Sequence, residues 1–180
     1  MYYEAMLASV YKIRSNLSEI VPGYTPDRGY ELAGFAWHQG WNDGCNATMA
    51  AEYESNLANL IRDVRADLGV PNLPVSIGVS GMNGWHPHDP KQTTIVNAQL
   101  AVANATRYPE FEGTVASVET RDFYREAKPS SPGDQIYHWN NNCESYWRIG
   151  QAMGEAMIDL IRKNIKSIEE KPLRETNGCG

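Results

Sequence analysis

The spacing of apolar positions predicts a chain that alternates helices with short strands. Over Tyr3–Ile20, Met6, Leu7, Val10, Ile13 and Leu17 recur at helical intervals, with Lys12, Arg14, Ser15 and Glu19 elsewhere on the wheel. Pro22-Gly23 ends this amphipathic helix, and Tyr24–Tyr30 reads as a loop. The apolar segment Glu31–Trp37 follows as a buried strand that delivers polar groups at its carboxyl end. Asn46–Leu68 then sets Met49, Ala50, Tyr53, Leu57, Leu60, Ile61, Val64 and Leu68 on one stripe, and Gly69 and Pro71 stop that helix. Leu73–Val79 is a second strand. A weaker helical stretch, Gln92–Thr106, turns Ile95, Val96, Leu100 and Ala103 inward, and Thr114–Glu119 is a third strand. The last helix, capped by Asn142, buries Ile149, Met153, Ala156, Met157, Leu160 and Ile161, and the tail after Pro172 is expected to fray.

This order is a helix followed by three strand–helix repeats. It predicts an α/β fold with a parallel sheet, right-handed crossovers and helices covering the sheet. The pattern opens on a helix rather than a strand, so it reads as βα architecture entered in mid-unit. The 180 residues fit one domain, residues 1–180, and an apolar share of 42% suffices for its core. A net charge of −6 with no stripe of Lys and Arg argues against nucleic acid and favours a small neutral partner. No apolar run is long enough to span a bilayer, no signal peptide precedes the first helix, and no membrane role is expected. Cys45, Cys143 and Cys179 have neither metal spacing nor an even disulfide framework.

Two polar clusters carry the candidate chemistry. In Trp37–Asp43, the amides of Gln39 and Asn42 just past a strand could donate to a developing oxyanion; Asp43 could hold the turn by accepting backbone N–H groups, and Gly40 permits close backbone approach. A strand-to-helix turn with a cap is the plainer reading of the same residues. In Asp134–Asn142, His138 could act as a general base oriented by Asp134, with Glu119 and Asp122 as reserves. A hydrogen-bonded structural histidine is the alternative. The run His86-Pro87-His88-Asp89 lacks third and fourth ligands at metal spacing, so no metal or cofactor is expected. Ser80 lies in GVSG, which lacks the full spacing of a nucleophile elbow, and reads as a substrate-loop residue rather than a nucleophile.

The segments GFAWHQGWNDG, EYESNLANLIRDVRADLGVPNLPVSIGVSG, TRDFYREA and YHWNNNCESYWRIGQAMGEAM together resemble the sialate O-acetylesterase-type (SASA) domain of the SGNH-hydrolase superfamily, from about Tyr30 to Met157. The resemblance implies a flavodoxin-like three-layer fold and serine-dependent removal of acetyl esters from carbohydrates, without a cofactor. It places Gln39 at the oxyanion hole, with Asn42 of the Gly40–Asp43 block competing for that role, and His138 as base. His38, Trp41, Ser80, Asn83 and Trp85 are then candidate substrate contacts. Two departures stand out. Gln135 occupies the usual position of the acid, so the acid falls to Asp134, and the Gly-x-Ser strand that carries the nucleophile has no counterpart. With strand order 2-1-3-4-5, loss of the first two strands would leave three contiguous ones and turn Glu31–Trp37 into an edge. Such an edge invites a homo-oligomer or a covering N-terminal helix. Family members are often exported, but the sequence fixes no compartment. A non-catalytic carbohydrate-binding or assembly subunit, and a complete enzyme using Ser80, remain the competing functions.

Overall fold

A computed structural model describes residues 2–86, 89–128, 132 and 134–169, with side chains of the last helix described to residue 165. Three parallel strands, β1 (Phe35–Trp37), β2 (Val75–Gly78) and β3 (Val115–Val118), form a sheet in the order β1-β2-β3. Phe35 pairs with Val75, which in turn pairs with Val115. The three strands are contiguous and β1 lies at one edge, as the sequence implies.

Helices α1 (Tyr2–Ser15) and α2 (Leu17–Ile20) precede the sheet; α3 (Ala47–Leu68), α4 (Pro90–Val102) and α5 (Cys143–Glu169) connect and cover it. Side chains alternate along β2. Val75 and Ile77 enter a core with Leu57, Ile61, Ile95 and Val102 of α3 and α4. The opposite face carries Ser76 and Gly78, and these small residues let α5 approach closely. The Ser76 hydroxyl donates to the Met153 carbonyl at 3.0 Å, and a Cβ on Gly78 would meet Met153 and the His38 ring. The result is the three-layer α/β/α arrangement.

The caps at Gly69 and Asn142 follow the sequence, and Asn46 adds one that it did not predict. Asn46 accepts from the amides of Thr48 (2.9 Å) and Met49 (3.1 Å), Gly69 closes α3 at φ 70°, and Asn142 accepts from Ser145 N at 3.0 Å.

Several expected positions move. The first strand spans three residues rather than Glu31–Trp37, because β2 offers no ladder earlier: Phe35 N already bonds Pro74 O, and Leu73 N turns back to Val70 O. In α3, Met49 faces solvent while Arg65 is buried, donating to Leu73 O at 2.9 Å and Thr114 Oγ1 at 2.8 Å. In α4, Leu100 points outward and the buried face carries Gln92 and Gln99. No residue of α1 is fully buried. Its Met6, Leu7 and Val10 are half-buried, Ile13 is exposed, and Tyr3 and Tyr11 tie it to Asp67 at the end of α3. The expected frayed tail and Cys179 lie outside the described residues; Cys45 and Cys143 are free and exposed. No described helix is long and apolar enough to cross a membrane.

Candidate active site

The carboxyl ends of the strands carry both polar clusters. Past β1 the chain makes a tight turn, Gln39–Asp43, whose geometry is fixed from beneath. Three donors converge on the Gln39 carbonyl: the Tyr53 hydroxyl at 2.9 Å, the Gln99 amide at 2.6 Å and the Ser80 hydroxyl at 3.4 Å. Gln99 also accepts from Ser80 N at 2.7 Å, so one fully buried side chain locks the β1 and β2 tips together. Its Nε2 further donates to the Tyr53 hydroxyl at 3.1 Å. Burial, slightly offset by the bonds from Trp37 and Gln99, pushes the Tyr53 phenol up to about 12, so it stays a neutral donor. Gly40 seats the turn directly on this layer, since a Cβ there would collide with Ser80 Oγ and Ile95. Gln92 donates to Trp41 O at 3.1 Å and packs where a side chain at Gly44 would go.

Asp43 accepts from the Gln39 side-chain amide rather than from backbone N–H groups. That bond assigns the amide nitrogen to the Asp43 side and orients it, leaving its second N–H for a ligand. Gln39 and Asp43 line a cavity of about 380 Å³ with Trp37, Tyr53 and Tyr2 of α1. Asn42 is exposed on the same turn and makes no capping bond.

The His138 turn, Ile136–Asn141, docks onto this tip through two ring contacts. Trp41 meets Tyr137 at 6.0 Å between centroids, and His38 meets Trp139 at 5.9 Å. Between Tyr137 and Trp139, His138 is exposed, with its ring 4.6 Å from that of Tyr137. The turn runs through the left-handed region at Trp139, Asn140 and Asn141 (φ 52°, 50° and 55°). Asn140 is buried and holds it: its Oδ1 accepts from Gln135 N at 3.0 Å, while its Nδ2 donates to the Tyr124 hydroxyl at 3.2 Å and to Arg125 O at 3.0 Å. Asn141 donates to Gln135 Oε1 at 3.0 Å. The residue at the usual position of the acid thus serves the turn itself.

The fold therefore brings Trp41 and His38 against the His138 turn, with Gln39 and Asn42 on the facing loop. Among the described residues it does not join His138 to an acid. Asp134 is exposed and makes neither hydrogen bond nor ion pair with His138. The reserve acids are committed elsewhere, Glu119 to Arg121 and Asp122 to the Trp85 indole. Burial alone would raise the Glu119 carboxyl, but its bonds to Arg121 hold it below the usual range. Among the described residues, no serine, threonine or cysteine side chain hydrogen-bonds the His138 ring. Ser80 is 4% exposed with its hydroxyl under the Gln39 carbonyl, so it holds the turn and offers nothing to a ligand. Asn83 is half-buried at φ 78° in the loop that presents the exposed Trp85. His86 pairs with Glu126, Asp89 caps α4 by accepting from Lys91 N at 2.8 Å, and Pro87 and His88 lie outside the described residues.

The family model of the sialic acid-specific acetylesterase carbohydrate esterases (SASA) matches residues 2–159. The chain belongs to this family. No curated protein and no solved structure matches it. The SASA match spans both clusters and the layer beneath them. Gln99, Tyr53 and Asn140, which support the SASA site without standing in either cluster's expected chemistry, escaped sequence reasoning. The only signal for Gln99 was a polar residue set three and four positions from the apolar Val96 and Ile95.

His38 differs from its expected role. Its Nδ1 lies 3.1 Å from Gly78 O, which can only accept, so the proton sits on Nδ1. Nε2 is buried without a partner, as is the Trp139 indole N–H. Burial lowers the His38 pKa from 6.5, against a smaller raising effect of the Gly78 bond. The unfolded chain therefore takes up this proton more readily than the folded one. Stability from this group is complete above the unfolded value and is lost as pH falls below it towards the folded value. Urea midpoints measured from about pH 8 to 5 should fall on acidification in the wild type and flatten in His38→Gln; parallel curves would remove His38 as the cause.

Proposed function

We propose that this SASA chain acts in removing acetyl esters from carbohydrates, with His138 as general base and Gln39 and Asn42 as oxyanion donors. The observation that carries this reading is the docking of the His138 turn on the Gln39–Asp43 turn through the Trp41–Tyr137 and His38–Trp139 contacts. Gln39 and Asn42 share a turn with Trp41, whose ring meets the His138 turn, at the carboxyl ends of parallel strands, where α/β folds place their ligand sites.

In the proposed reaction a serine hydroxyl attacks the acetyl carbonyl while His138 takes its proton. The amide N–H groups of Gln39 and Asn42 receive the negative charge on the carbonyl oxygen. Collapse expels the sugar oxygen, which receives the proton from His138, and water then releases acetate by the same steps. Asp134 would orient His138 after a local shift of its exposed side chain. No hydroxyl among the described residues bonds the His138 ring, so the nucleophile is taken from outside them. The open edge of β1, whose tip carries Gln39, suits a further strand bearing it, and the same edge would support self-association.

The competing reading, a carbohydrate-binding or assembly subunit without turnover, is favoured by the commitment of Ser80 to the Gln39 carbonyl and by the lack of an acid on His138. Acetate release from acetylated oligosaccharides separates the two. For an esterase, His138→Ala should lose about 10²-fold or more of the rate at unchanged stability. No release by a form that includes a Gly-x-Ser strand would leave the binding subunit, and release indifferent to His138→Ala would remove His138 as the base.

A further inference from the structure

Beside the His138 turn, the loops after β2 and β3 enclose a groove of about 550 Å³ lined by Trp85, His86, Arg121, Tyr124 and Arg125 among others. Trp85 is 62% exposed yet firmly held. Its indole N–H donates to Asp122 Oδ1 at 2.7 Å, and the Arg121 guanidinium lies 3.9 Å from the ring centroid. Arg121 is itself fixed by a bidentate pair with Glu119, at 2.8 and 2.6 Å. The loop bends tightly enough to present the ring because Gly84 adopts φ 58° against Tyr124, where a Cβ would come within 3.2 Å. An exposed indole normally keeps rotamer freedom. This one has its orientation set before any ligand arrives, which lowers the entropic cost of binding.

The cations in the groove are already engaged. Arg121 belongs to Glu119, and Arg125 spends its N–H groups on Glu144 (2.9 Å) and on the carbonyls of Asp122 (3.2 Å) and Tyr124 (2.9 Å). Asp122 and Glu126 add negative charge to the lining, and the chain carries −6 overall. A sugar carboxylate would therefore meet no uncommitted arginine there. A neutral pyranose presents a C–H face to an indole and hydroxyls to surrounding polar groups, which this groove supplies. The groove is also tied to the His138 turn: Tyr124 in its wall receives the Asn140 amide that fixes that turn.

We infer that the Trp85 groove is a second sugar subsite, taking a neutral pyranose of a glycan whose acetylated residue lies at His138. The inference rests on the carbohydrate reading above. It departs from sialic acid, which the family description names, because that sugar brings a carboxylate.

Binding can be measured without turnover, by tryptophan fluorescence and by the indole N–H resonance of Trp85, using cellohexaose, xylohexaose and mannohexaose as neutral probes and 3′-sialyllactose as the anionic one. At least one neutral probe should bind and shift the Trp85 resonance. Trp85→Ala should weaken it roughly tenfold and Trp85→Phe less, with cooperative unfolding kept and the midpoint only slightly lowered by loss of the Asp122 bond and the Arg121 contact. Binding of a neutral probe by a form that includes a Gly-x-Ser strand yet releases no acetate would count against the esterase reading and leave the subsite standing. Failure of every neutral probe, binding that Trp85→Ala leaves intact, or tighter binding of sialyllactose would overturn it.

Discussion

Replacing Gln99 with leucine is expected to destabilise the fold by about 2–4 kcal/mol, a large effect for a change that keeps side-chain volume nearly constant. The reason lies in what the side chain satisfies. Its Oε1 is the acceptor for Ser80 N, and its Nε2 serves both the Gln39 carbonyl and the Tyr53 hydroxyl, in a position with no exposure. Leucine leaves the Ser80 amide buried and unpaired, which costs the desolvation of that group rather than the smaller net value of a hydrogen bond. For a chain of this size the loss corresponds to a fall in Tm of roughly 5–15 °C. Tyr53→Phe removes one donor from a carbonyl that retains Gln99 and takes the acceptor from the half-buried Trp37 indole, and should cost about 1–2 kcal/mol. Denaturant midpoints at constant m-value measure both. Equal losses in the two variants would mean that Gln99 does not clamp the β1 and β2 tips.

Gln99 also marks where sequence reading stopped. The strand–helix alternation, the helix ends at Gly69 and Asn142, and the gathering of polar clusters at strand ends were legible because each depends on local chemistry: apolar period, cap geometry, glycine at positive φ. Periodicity treats a polar residue as outward. It therefore placed Leu100 inside and missed Gln92, Gln99 and Arg65, which are buried because each feeds backbone groups that a strand end or turn leaves unpaired. The length of β1 was likewise invisible, since it depends on where the partner ladder begins at Pro74 and Val75. In the site, side-chain identity suggested the oxyanion donors and the base. It could not show that Asp43 would spend itself on Gln39, or that Ser80 would be sealed under the turn. Those pairings join loops 41 residues apart or depend on rotamers within a single turn.

Asn140→Ala should cost about 3 kcal/mol and displace His138 with it. Asn140 makes three hydrogen bonds from a buried position, to Gln135 N, the Tyr124 hydroxyl and Arg125 O, and so fastens the His138 turn to the loop after β3. It also occupies the middle of three successive left-handed residues, a conformation asparagine tolerates better than alanine. The two contributions can be separated. Asn140→Gly gives up the same hydrogen bonds while accepting the left-handed backbone, so it should be less damaging than Asn140→Ala by about 1 kcal/mol. Both variants release the turn, so both should broaden or shift the His138 ring resonances and weaken the Trp41–Tyr137 contact. Any acetate release should fall with them. Glycine and alanine variants of equal stability would remove backbone strain from the account. An unmoved His138 spectrum would show that the aromatic contacts of Tyr137 and Trp139 hold the turn without Asn140.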